Sequence, residues 1–120
     1  MKVIVIVRGD DFSLEYICSS KEKCLEHMEN KLKYYKTGGD MSIEVDFSGI
    51  SVHPSWYLEK VDFHFYEFEV NKTTIVDIAP IIIPSLLKVL EKNDWDYIDH
   101  RNPRAIINGR EVPLSQKYPQ

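Results

Sequence analysis

The chain has 120 residues, 43% of them hydrophobic and 28% charged, which suits one domain with one core and excludes disorder. Its net charge of −4 lies in the middle: residues 41–80 hold two Lys/Arg against seven Asp/Glu, residues 1–40 hold seven and seven, and residues 81–120 hold six and five. That balance argues against a nucleic-acid-binding domain, which needs a basic face to displace counterions from phosphate.

Val3 to Val7 is an unbroken β-branched run, the pattern of an interior strand buried on both faces. Arg8-Gly9-Asp10-Asp11 reads as a turn rather than an adhesion motif, with Gly9 free to take positive φ. Phe12, Leu14 and Tyr16 alternate, and Ile17 and Cys18 complete a second strand. Ser19 and Glu22 have the spacing of a capping box and open a helix. Leu25, Met28, Leu32 and Tyr35 give that helix one apolar stripe flanked by Cys24, and Gly38-Gly39 stops it.

Ile43, Val45 and Phe47 alternate with Glu44 and Asp46, a half-buried strand with an acidic outer side. Ser48-Gly49 interrupts it, and Ile50 and Val52 continue as another strand. His53-Pro54-Ser55-Trp56-Tyr57 reads as a loop, because Pro54 cannot serve a central ladder.

Val61 to Val70 is the candidate heart of the core, with four aromatics in six residues. Val61, Phe63 and Phe65 share one phase; Tyr66, Phe68 and Val70 share the other. A one-residue slip moves side chains to the opposite face. Either a bulge absorbs it, or the two ends of a long strand bury opposite faces, which is the favoured reading. Asn71-Lys72 suits a hairpin turn, with a return strand over residues 73–76. Asp77 could cap a helix with Pro80 in its first turn, but Pro84 would then lie inside it, so the simpler reading begins the second helix at Pro84 or Ser85. Leu86, Leu87 and Leu90 would be its buried face. Trp95 to Ile98 is a candidate short strand, and Asn108-Gly109 between apolar residues is a hairpin signal.

Chemical motifs are sparse. His27, His53, His64 and His100 have no metal-ligand spacing with each other or with Cys18 and Cys24, and no metal or cofactor is expected. His64 reads as a strand histidine on a polar face, and His27 as solvated. The two cysteines read as buried reduced thiols. No nucleophile elbow, phosphate loop or dinucleotide fingerprint occurs. His100, Arg101, Arg104 and Arg110 form the one basic concentration. It could hold an anionic nucleotide, or pair internally with Asp96 and Asp99.

The element order predicts an α+β fold: a single domain over residues 1–112, a mainly antiparallel β-sheet with two α-helices packed on one face, and a C-terminal tail over 113–120. In size, acidity and lack of catalytic motifs the chain is similar to small single-domain inhibitors of bacteria and their phages, the toxin-immunity and anti-defence proteins. That likeness is in bulk properties and carries over no residue. It implies a cytoplasmic, non-enzymatic binding protein, with a basic protein such as a nuclease as partner. No direct nucleic acid or membrane contact is expected, and a homo-oligomer is possible. Glu44, Asp46, Glu67 and Glu69 would form one acidic sheet face, with Trp56 and Tyr57 as aromatic anchors. The alternative is a small anionic ligand held by the His100, Arg101, Arg104 and Arg110 region.

Overall fold

The computed structural model describes residues 2–9, 13–57 and 59–113. In chain order they form β1 (Lys2–Arg8), β2 (Ser13–Cys18), α1 (Lys21–Lys36), β3 (Met41–Val45), β4 (Ile50–Pro54), β5 (Val61–Glu69), β6 (Thr74–Asp77), α2 (Ala79–Lys92), β7 (Tyr97–Asp99), β8 (Arg104–Ile107) and β9 (Arg110–Pro113). These nine strands join one sheet in the order β2-β1-β5-β4-β3-β7-β8-β9, with β6 off this path and paired with β5. The pairings are antiparallel except that of β3 with β7. This is the α+β architecture that the element order implies. Of the expected tail, residues 114–120 lie outside the described residues, as does Phe12 of the expected second strand.

β5 is the organising strand. One edge pairs with β1 without a break, from Arg8↔Phe63 to Lys2↔Glu69. The other edge is shared, with β4 along Val61–Phe63 and β6 along Tyr66–Glu69. The phase slip at Phe65-Tyr66 is therefore not a bulge. Val61, Phe63 and Phe65 face the helices and are buried, while Tyr66 and Phe68 face the other way and are only half-buried. The favoured reading of two buried ends is corrected in its second half, because no described element covers the face that Tyr66 and Phe68 reach. The bulge lies instead between β1 and β2, where the register shifts after Ile6↔Tyr16 and leaves Glu15 without an opposite residue. The β1 run is corrected likewise: Ile4 and Ile6 are buried under the helices, and Val3, Val5 and Val7 are half-buried on the open face.

Both helices lie on one side. Cys24, Met28, Leu32 and Tyr35 of α1 join Ile82, Ile83, Leu86 and Leu90 of α2 in one core with Ile4, Ile6, Phe63 and Phe65. Ser20 rather than Ser19 caps α1, its hydroxyl accepting from Lys23 N at 3.2 Å. The two helices are latched by Glu29, which accepts from Lys92 Nζ at 2.8 Å and Asn93 Nδ2 at 2.7 Å.

α2 starts five residues earlier than the proline suggests, with Pro84 inside it. Asp77 Oδ1 accepts from Ala79 N at 2.9 Å and secures this early start. An interior proline costs about 3 kcal/mol. Helical geometry over the first turn buries Ile82 and Ile83, each worth about 1.5–3 kcal/mol. The burial therefore offsets the proline, whose ring is exposed.

The Asn108-Gly109 turn is as expected, with φ of 53° and 77°. After β5 the turn spans residues 70–73, and Thr73 rather than Asn71 takes positive φ.

Candidate functional site

The register decides which expected site residues share a face. Glu44 pairs with Ser51 and projects to the open side, away from the buried Ile43 and Val45. Glu67 pairs with Ile4, and Glu69 with Lys2, so both belong to the helix side; Lys2 Nζ lies 3.7 Å from Glu67 Oε1. Asp46 follows β3 and turns inward on its own loop. Its Oδ1 accepts from Ser48 N at 2.8 Å, Ser48 Oγ at 2.7 Å and Gly49 N at 3.0 Å. Burial pushes the Asp46 carboxyl up, but these hydrogen bonds, aided by His64, bring it below its ordinary value. The four carboxylates thus do not form one face. Phe47, expected inside that strand, sits in the turn and is 74% exposed.

Trp56 leans on the end of α1. Its indole N–H donates to Tyr35 O at 2.7 Å, satisfying a helix-terminal carbonyl. A Cβ on Gly38 would lie 2.2 Å from the indole, so the glycine makes room for the ring. Tyr34 and Tyr57 stand edge-on to it, each at 5.8 Å between centroids. Trp56 remains 41% exposed, a partial lid on this end of the molecule.

The basic concentration is largely paired internally. Asp99, 1% exposed, accepts from Arg101 Nε at 3.1 Å and Nη2 at 3.2 Å. Arg104 Nε lies 3.9 Å from the same carboxylate, and its Nη1 lies 3.6 Å from Glu111. Arg104 Nε is buried without a hydrogen-bond partner. His100 Nε2 lies 2.8 Å from Glu44 Oε1. Arg110 is exposed on the distal hairpin. Three of the four residues proposed for an anion thus already meet carboxylates.

Sequence reasoning missed Glu15. The bulge turns it toward α1, where its side chain, 7% exposed, meets His27 at 2.7 Å, Lys31 at 3.5 Å and Arg8 at 3.7 Å. His27 is therefore half-buried rather than solvated, with Tyr16 stacked on it at 4.1 Å. His64 lies on the open face with Nδ1 at 3.2 Å from Ser48 O. Among the described residues no group of three or more His, Cys, Asp or Glu could hold a metal ion. Cys18 and Cys24 are both free and buried. Burial pushes the Cys24 thiol well above the usual range, and the neighbouring Cys18 adds to it.

Sequence reasoning also missed the open face of β2, β1, β5 and β6. The register places Leu14 beside Val7, Ile17 beside Val5, Val5 beside Tyr66, and Phe68 beside Val3 and Ile75. Leu14 is 58% exposed, Ile17 52% and Ile75 66%. At strand spacings of about 4.8 Å and rises of about 3.4 Å per residue, this patch covers on the order of 400 Å². Asp62 and Asp77 lie on the same face at its margins, with Glu44 further along the sheet. Of the strand Lys and Arg residues, Lys2, Arg8 and Arg104 fall on the helix side, leaving Arg110 at the far end.

No helix among the described residues is long and apolar enough to cross a membrane. Comparison with protein-family models, with curated proteins and with solved structures found no match to this chain.

Proposed function

We propose that this chain is a small non-enzymatic binding protein, of the inhibitor or immunity kind, that docks a basic protein partner on the open face of its sheet. One observation carries the reading: no described element covers the apolar patch of Leu14, Ile17, Tyr66, Phe68 and Ile75, which is margined by Asp62 and Asp77, while Lys2 and Arg8 of β1 face the other side of the sheet. The patch is comparable to the largest found on ordinary monomers, and contiguous apolar surface of that kind marks interaction sites. It would form the core of a standard interface of about 800 Å² per partner, and the carboxylates a rim that steers a basic surface inward. The alternative of an anionic ligand at Arg101 and Arg104 has less support, since Asp99 already engages both guanidinium groups.

The test uses variants of the intact chain. Phe68→Ser with Ile75→Ser removes the centre of the patch, and should weaken partner binding at least about tenfold, since two truncated anchors cost about 1–2 kcal/mol each. Glu67→Gln with Glu69→Gln, on the helix side, should leave affinity unchanged. Equal loss from both pairs would return the interface to the carboxylates. Loss confined to Arg101→Ala with Arg104→Ala would favour the anionic ligand.

A further inference from the structure

β3 and β7 pair at Glu44↔Ile98 and Val45↔Asp99 and separate before that point. The separation leaves a wedge in the plane of the sheet. One cavity of about 380 Å³ is lined by Ile43, Tyr97 and Ile106. A second, of about 480 Å³, shares Met41 and Ile43 with it and adds Trp95 and Asp94. Asp40, Glu44, Asp94 and Asp96 line the two cavities, with Lys36 as the one lysine or arginine.

The wedge also exposes a strand edge. Ser55 N donates to Asp40 O at 2.8 Å and Asp46 N to Gly49 O at 3.1 Å, so the even-numbered residues of β3 turn their main-chain groups toward β4. The odd-numbered residues then turn theirs toward β7, and Val45 O accepts from His100 N at 2.8 Å. The main-chain groups of Met41, three residues before the first pairing with β7 at Glu44, open into the wedge. A strand edge of this kind is a template for pairing with another chain.

We infer that the wedge between β3 and β7 receives an extended cationic peptide segment, which pairs with the free edge of β3 and sets its Lys or Arg side chains against Asp94 and Asp96. The occupant follows from the lining. An extended segment satisfies the edge, apolar side chains fit Ile43, Tyr97 and Ile106, and four carboxylates against one lysine select positive charge. Lys36 lies 3.4 Å from Asp40, and His100 meets Glu44, so the carboxylates left for the peptide are those of Asp94 and Asp96. Asp96 also accepts from Asn108 N at 2.9 Å, which fixes its position. This inference rests on the proposed function to the extent that the segment belongs to the same basic partner.

The experiment uses the full chain and two fluorescein-labelled hexapeptides, one alternating lysine with valine and one alternating glutamate with valine. Fluorescence anisotropy should show the lysine peptide binding at least about tenfold more tightly. Amide hydrogen exchange should slow at Met41 when that peptide is added. Met41→Pro removes an N–H that faces the wedge and not β4, so it should weaken peptide binding about tenfold while the β3–β4 ladder remains. Asp94→Lys, at an exposed position, should weaken it as well and covers the case in which the proline variant does not fold. Equal binding of the two peptides, protection at Ser13–Cys18 of the edge strand β2 instead, or full binding by Asp94→Lys would overturn the inference. Phe68→Ser with Ile75→Ser should leave peptide binding intact, so failure at the open face and failure at the wedge read separately.

Discussion

Leu32 is fully buried between the sheet and the two helices, so Leu32→Ala should cost about 2–5 kcal/mol in chemical unfolding. A melting temperature unchanged within a degree or two would show that α1 does not cover the core. Glu29 gives a pH-dependent counterpart. The hydrogen bond from Lys92, then that from Asn93, holds its carboxyl below the ordinary value of 4.5. A depressed folded-state value stabilises the protein above the unfolded value and loses that contribution as pH falls through the folded one. Between about pH 5 and pH 3, stability should therefore drop more in the wild type than in Glu29→Gln, measured by urea midpoints. An identical pH dependence would mean that the helix latch contributes nothing. Cys24 should label slowly in the folded protein, because burial opposes the thiolate that reacts. At this scale periodicity made Met28, Leu32 and Tyr35 legible. It could not reveal Glu15, whose contacts depend on a bulge that no single strand displays.

α2 shows where local rules yield to packing. Pro84 argued for a later start, yet the helix begins at Ala79 because Ile82 and Ile83 enter the core only in helical phase. Pro84→Ala should therefore restore a backbone hydrogen bond at an exposed position and raise stability by about 1–3 kcal/mol. A lowered melting temperature would show that the proline ring has a packing role. In β5 the two phases of Val61–Val70 were plain in the sequence. Whether the second phase meets a covering layer depends on where the helices go, and both pack on the Phe63 and Phe65 side. The supposed acidic face failed for the same reason. β3 ends at Val45, so Asp46 and Phe47 leave the expected alternation, and in β5 Glu67 and Glu69 share the helix-side phase of Phe63 and Phe65, opposite to Glu44.

For the whole molecule, the element order was enough to reach the α+β class, because two helices against one broad sheet leave few ways to bury both apolar stripes. The split edge of β5, the parallel joint of β3 with β7 and the face that no described element covers arise from long-range pairings that local patterning does not encode. The open face most directly tests the binding account. A photo-reactive benzoylphenylalanine in place of Ile75 would report what touches that face in the source cell, with the same group in place of Lys88, on the exposed side of α2, as control. The expected result is a covalent adduct from position 75 alone, to a protein of basic isoelectric point, lost at high salt as screening shortens the reach of the carboxylate rim. No adduct from position 75, an adduct of twice the chain's own mass, or equal adducts from both positions would contradict it.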